Sequence, residues 1–301
     1  MQSIYALHNA SQSLIPGQAN KILQKQFDDT NGLFLFLVYH LVETARYAEI
    51  DSSNKARKHL PTEADLNVAV KIGGNQVLWR IMESEMYKQG ISQFKPQLRA
   101  EEDWVKKIYM TLAGSTMYQV YNSTQERDKK SEREIMEYIF TDLMLANEDF
   151  TMYVEDIFNN WDDDADMLRL LMLHFLQKPG SFKPSEMVGK EKADFGVQLL
   201  NTVMGRTQLL DEMIKPKLRN WDPERLAQLD TILLQMGVAE FLYFETIPVK
   251  VTINEYIDLA KEYSTPQSGQ FVNGILDNIQ KELEEKGELK KVAFTKNTKK
   301  E

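Results

Sequence analysis

Residues 248–277 read PVKVTINEYIDLAKEYSTPQSGQFVNGILD. Thr252 is placed to cap a first helix, and Glu255 three residues on completes a capping box. Ile253, Ile257 and Leu259–Ala260 then supply an apolar stripe at helical spacing. Thr265 and Pro266 start a second helix, because threonine caps well and proline suits the first helical position. Phe271, Val272, Ile275, Leu276 and Ile279 face inward on it by the same periodicity. The result is a helical hairpin. Core packing does not call for Lys250, Asn254, Glu255, Asn273 or Asp277, so these polar residues mark a candidate binding edge.

Working outward, the whole chain reads as all-α. Helical spacing of apolar residues predicts helices over 31–49, 63–87, 101–121, 131–147, 150–160 and 164–177, then 187–204, 208–218 and 222–243. Asp222–Pro223–Glu224 is a helix-start signal for the last of these, whose stripe Leu226, Leu229, Leu233, Met236 and Leu242 reads as core. Breaks fall at 51–60, 90–95, 121–130 and 178–191, the last marked by Pro179–Gly180 and Pro184. No internal repeat is found, and no run alternates in the manner of a strand.

Composition limits the function classes. The chain has 301 residues, 43% of them hydrophobic, enough for a sizeable core. It contains no cysteine, which excludes disulfides, thiolate metal sites and a cysteine nucleophile. No signal peptide or membrane-length apolar run is read, so a cytoplasmic address with no membrane partner is expected. The net charge of −9 argues against nucleic-acid binding through an overall field, since phosphate neutralisation drives such binding. Any RNA contact has to be a local patch suited to a short single strand.

PVKVTINEYIDLAKEY followed by GQFVNGILD resembles the C-terminal signature of the NusB family of bacterial transcription antitermination factors. The resemblance extends back through LLDEMIKPKLRNWDPERLAQLDTILLQMGVAEFLYFETI, residues 209–247. At the other end MQSIYALH is similar to part of the first helix of that family, with its Gln-x-x-Tyr element. Together these matches cover about a third of the chain. The resemblance implies an all-α helical bundle of NusB type carrying a large helical insertion. It divides the chain into a first helix at 1–12, an insertion at 13–184, a C-terminal helical domain at 185–285 and a basic, solvated tail at 286–301. Ile4 and Leu7 are the apolar anchors with which the first helix would return to residues 195–280.

The resemblance further implies a non-enzymatic factor that binds a boxA-like single-stranded RNA together with the ribosomal protein NusE on the RNA polymerase elongation complex, without a cofactor. RNA candidates are Tyr5, Lys250, Asn254, Gln267, Ser268, Gln270, Phe271 and Asn273. Amides at the start of the 265–280 helix offer a phosphate site, and Gln267, Ser268 and Gln270 offer hydrogen bonds to bases or sugars. Phe271 is either a stacking platform or a core residue, with spacing in favour of core. Asp230, Glu240 and Glu255 are partner-binding candidates, Asp230 being equally well a solvated helix carboxylate. The family's arginine-rich arm is expected upstream of Met1, since the first basic residue here is Lys21. Without that arm the alternative is an interaction scaffold of little RNA affinity. The sequence leaves a homodimer open.

Other constellations read as structural. Asp162, Asp163, Asp164 and Asp166 lack the glycine and terminal glutamate of a calcium loop, and Asp163 or Asp164 is expected to cap the following helix. His8, His40, His59 and His174 have no partners at metal-ligand spacing. Gly73–Gly74 fits no nucleotide-binding pattern and reads as a helix interruption or close contact. NusB-like domains also occur fused to cytosine-5 RNA methyltransferases, but a chain without cysteine cannot perform that chemistry.

Overall fold

The computed structural model describes residues 1–9, 17–124, 126–181, 189–218 and 226–292. Asp222–Pro223–Glu224, Pro184, the helix start at Met187, Lys296, Lys299, Lys300 and the boundaries drawn at 12–13 and 184–185 lie outside the described residues. Among those described, every regular element is a helix. In chain order α1 is Gln2–His8, α2 Gln18–Ala56, α3 Glu63–Leu66, α4 Gln76–Glu83 and α5 Glu85–Phe94. Then come α6 Glu102–Gly114, α7 Thr116–Ser123, α8 Lys129–Tyr138, α9 Glu148–Ile157 and α10 Trp161–Gln177. The last are α11 Lys190–Ile214, α12 Gln228–Tyr243, α13 Val249–Tyr263 and α14 Ser268–Glu285. The chain divides into a terminal unit, Met1–Lys25 with Lys190–Glu301, and a central unit, Gln26–Gly189.

In the terminal unit α12 is the centre. Ile232 through Phe241 are all buried, so this helix meets neighbours on every side. α1, α11, α13 and α14 each pack against it. Ile4 and Leu7 of α1 join the same core as Val203, Leu233 and Phe241, each of the two only 2% exposed. Seven residues are too few to hold a helix alone in water, so packing keeps α1 helical. Burial of one such aliphatic side chain contributes about 1.5–3 kcal/mol. Asn9 ties the end of α1 to the start of α12 by donating to Gln228 Oε1 at 3.3 Å. At Gly237 a Cβ would lie 2.9 Å from Leu276 Cδ2, so the α12–α14 contact is closer than any side chain at 237 permits.

The central unit has its own core, with Leu33–Val38 of α2 buried beside Phe140, Phe150 and Phe175. The helix expected over 31–49 is longer, running as α2 from Gln18 to Ala56 and into the break expected at 51–60, whereas two others are divided. The helix expected over 63–87 is α3, a 3₁₀ turn at Lys71–Gly74, α4 and the start of α5. The one expected over 101–121 is α6 and α7. Serine makes both sharp breaks. Ser84 Oγ donates to Ile81 O at 2.6 Å, which closes α4, and accepts from Tyr87 N, which opens α5. Ser115 does the same between Leu112 O and Tyr118 N. A serine at an N-cap competes with the helix ladder while the apolar rhythm runs on unbroken.

Further along, α8 widens into a π-helical segment, Ile139–Leu145, where Thr141 returns its hydroxyl to Glu137 O at 2.9 Å. Such back-bonding loosens the regular ladder. α10 begins at Trp161 with Asn160 as its N-cap residue, so Asp162, Asp163 and Asp164 occupy its first turn rather than its cap. They favour the positive end of the helix there. Asp164 also accepts from Thr30 and Asn160, both at 2.6 Å. In the terminal unit the helices expected over 187–204 and 208–218 are continuous as α11, followed by a 3₁₀ turn at Lys215–Leu218.

His40 is sealed inside the central core. Its ring lies 4.3 Å from Phe36 and 5.4 Å from Phe150. Nδ1 donates to Phe36 O at 2.9 Å, while Nε2 has no partner. Burial lowers its pKa from 6.5 to about 4. The folded state therefore resists the proton that the unfolded chain accepts. Stability is lost as pH falls below 6.5, and the loss levels off beneath pH 4, at about 3 kcal/mol. Chemical denaturation read by tryptophan fluorescence across this range should show a shallower loss for His40→Leu than for the parent chain. Parallel curves would refute the assignment.

Candidate nucleic-acid interface

The candidate edge is carried by α13 and α14, and its geometry follows from how each meets α12. α13 starts at Val249 after Pro248, so Thr252 lies inside the helix and caps nothing. Its hydroxyl instead donates to Glu240 Oε2 at 2.9 Å, and Tyr256 donates to Glu240 Oε1 at 2.5 Å. The buried face of α13 is Thr252, Tyr256 and Ala260. The isoleucines flank it, with Ile253 only partly buried against the core. Apolar spacing misplaced this face because two polar residues here satisfy a third.

The turn into α14 is built on Ser268. Its Oγ accepts from Thr265 N at 3.2 Å, donates to Asp230 Oδ2 at 2.8 Å and lies 2.8 Å from Thr265 Oγ1. α14 begins at Ser268 with Gln267 as its N-cap residue, two residues later than Thr265 and Pro266 suggest. The negative charge of Asp230 thus sits one hydrogen bond from the first residue of α14. The helix end expected to receive a phosphate already faces a protein carboxylate. Close packing at Gly269, where a Cβ would meet Lys261 Cγ at 3.0 Å, draws this turn against α13.

These facts sort the expected residues. Lys250 and Asn254 are exposed one turn apart on α13, with Glu255 beside them. Gln267, Gln270 and Asn273 are exposed at three-residue intervals along α14. Tyr5 is 43% exposed, but on α1, which packs against α11 and α12. Four residues are interior instead. Ser268 is 1% exposed and consumed by the turn, and Phe271, 5% exposed, packs in the core rather than offering a stacking face. Asp230 is buried on Ser268, and Glu240 is buried under Thr252 and Tyr256, so neither is a solvated or partner-facing carboxylate.

Charge on the edge is sparse. Lys261 pairs with Asp258 at 3.0 Å and Lys281 with Asp277 at 2.7 Å. Among the described residues, Lys250 is the cation of α13 and α14 left without a carboxylate. Sequence reading missed two features nearby. Lys291, taken as part of a solvated tail, donates to Glu240 O and Phe244 O, both at 2.8 Å, and so closes the C-terminus of α12. Tyr243, 42% exposed, closes α12 after the buried run Ile232–Phe241 and lies under the Arg206 guanidinium at 5.8 Å. Its only signal was an aromatic at the end of an apolar run. No described helix is long and apolar enough to cross a membrane, and no described cluster of His, Asp or Glu is arranged to hold a metal.

Burial holds the Glu240 carboxyl above its ordinary pKa, opposed by the hydrogen bonds from Tyr256 and Thr252. A raised carboxyl pKa means the charged form costs stability as pH rises past 4.5. Glu240→Gln keeps an acceptor and removes the charge, so at neutral pH it should leave the thermal midpoint unchanged or higher. Glu240→Ala strands two buried hydroxyls and should cost about 2–3 kcal/mol. Equal midpoints for the alanine variant and the parent would show that this network contributes nothing.

The sequence model of the NusB family matches residues 174–281, from within α10 to within α14. The transcription antitermination protein NusB of Chloroherpeton thalassium is 42% identical over 109 residues, 36% of this chain and 52% of that protein. The protein of the same name from Bacillus licheniformis is 38% identical over 107 residues, 36% of this chain and 83% of that protein. That of Bacillus subtilis is 41% identical over 97 residues, 32% of this chain and 74% of its own length. The chain spans between half and two thirds of the length of the Chloroherpeton relative and of its Salinibacter ruber counterpart, 52% and 61% respectively. No solved structure matches. With most of the Bacillus proteins covered at such identity, and with the match falling on the helices that surround α12, the chain belongs to the NusB family.

Proposed function

We propose that this chain is a transcription antitermination factor, non-enzymatic, that binds a boxA-like single-stranded RNA together with NusE within an RNA polymerase elongation complex. The observation that carries the reading is the exposed polar row Lys250, Asn254, Gln267, Gln270 and Asn273, set on the family-matched hairpin without a role in its core. Amide side chains suit a strand whose bases are unstacked and open to hydrogen bonding. Lys250 supplies the one unneutralised charge that this row offers to a phosphate. Glu255 and Glu262, exposed two turns apart on α13, give a partner protein a separate acidic contact. Tyr5 supplies an aromatic face from α1.

A second reading, a scaffold that holds the partner with little RNA affinity, is favoured by the same sparse charge on a body of net −9. Titration of boxA-type RNA, with and without the NusE partner, separates the two. We expect saturable RNA binding that tightens with the partner. Because each phosphate neutralised on a single strand contributes a slope of about −0.7 to log affinity against log salt, Lys250→Ala should flatten that slope by about 0.7. Partner binding without RNA binding at low salt would establish the scaffold.

A further inference from the structure

The central unit holds a second polar site, distant in sequence from the hairpin. A cavity of about 150 Å³ opens between α4, α8 and the end of α10. That is about the volume of a cavity known to hold one benzene-sized guest. Arg80, Lys129 and Arg133 line it, with the amides of Gln76 and Gln177. Val77 and Leu176 form an apolar wall. All three cations come from residues outside the family match.

Charge accounting defines the guest. Glu132 also lines the cavity, but its carboxylate is fully committed. It accepts from Gln76 N at 2.6 Å, Tyr121 Oη at 2.9 Å and Arg127 Nη1 at 3.2 Å, so Arg127 offsets its charge. Arg133 is offset by Glu137 at 3.1 Å. Arg80 and Lys129 are exposed and, among the described residues, have neither a carboxylate nor a hydrogen-bond partner for their side chains. Two unspent cations therefore converge on a space for one small group. The first turns of α4 and α8 also border the cavity, but Glu132 takes Gln76 N and Asp128 takes the amides of Lys130 and Ser131, so the attraction for an anion rests on the side-chain cations.

We propose that this cavity binds the phosphate dianion of a small phosphate monoester, with the remainder of the ligand lying along Val77 and Leu176. A backbone phosphodiester carries a single charge and would leave one of the two cations unmatched. A planar guanidinium beside an ammonium suits the tetrahedral dianion.

Calorimetric titration of the full chain with inorganic phosphate and with adenosine monophosphate, in low-salt buffer, tests this. Single-site binding is expected for both, tighter for the nucleotide. Arg80→Gln and Lys129→Gln should each weaken it roughly tenfold or more, the loss expected for one charged hydrogen bond. Neither substitution removes a described contact, so both variants should keep the parent's thermal midpoint, and either alone suffices if the other fails to fold. Lys250→Ala should leave phosphate binding intact, which keeps this site separable from the hairpin edge. The proposal fails if phosphate does not saturate, if both substitutions leave the affinity unchanged, or if RNA without a terminal phosphate displaces the ion.

Discussion

The terminal unit depends on one constraint: α12 is surrounded. A helix buried from Ile232 to Phe241 cannot direct its polar side chains to water, so each must find a partner on a neighbouring element. Asp230 finds Ser268 at the start of α14, Gln235 donates to Asp211 of α11 at 2.8 Å, and Glu240 takes two hydroxyls of α13. Three polar residues thus engage three different helices. Apolar packing alone would tolerate sliding of one helix along another, whereas these bonds are met in only one register. Lys291 completes the arrangement by satisfying carbonyls at the far end of α12.

The same constraint explains what the sequence could and could not disclose. The helical class, the α13–α14 hairpin and the family were legible because long apolar periodicities and an extended motif carry them. Ile4 and Leu7 were legible as anchors because an exposed peptide has no use for them. Asp230, Glu240, Ser268 and Thr252 were not, since in a linear sequence a buried polar residue satisfied by a distant partner looks like one facing solvent. The serine breaks at Ser84 and Ser115 were missed for a related reason. A cap acts through one hydroxyl and leaves the hydrophobic rhythm on both sides intact. Phe271 was correctly weighed toward the core by spacing, and its place there leaves the exposed row of α14 entirely polar.

The proposed function draws on what the core leaves over. Once the interior polar groups are assigned, the hairpin keeps a short row of amides, one free lysine and a neighbouring acidic stripe. That composition suits reading a small nucleic-acid element beside a protein partner and does not suit coating a charged polymer, in keeping with a net charge of −9. The central unit spends its charges differently. It pairs some of its ionic groups close in sequence, as Lys130 with Glu134 and Arg133 with Glu137, and sets the unpaired Arg80 and Lys129 beside one cavity.

The central claim is that the two ends of the chain make one cooperative unit around α12. Amide hydrogen exchange on the parent chain and on Leu7→Ala tests it most directly, because that substitution removes a buried anchor at a single site in α1. A core leucine truncated to alanine costs about 2–5 kcal/mol, so exchange in α11 and α12 should quicken by tenfold or more while α6 and α8 of the central unit keep their protection. Unchanged protection throughout α11 and α12 would contradict the account, since α1 would then be an ornament on a unit that folds without it.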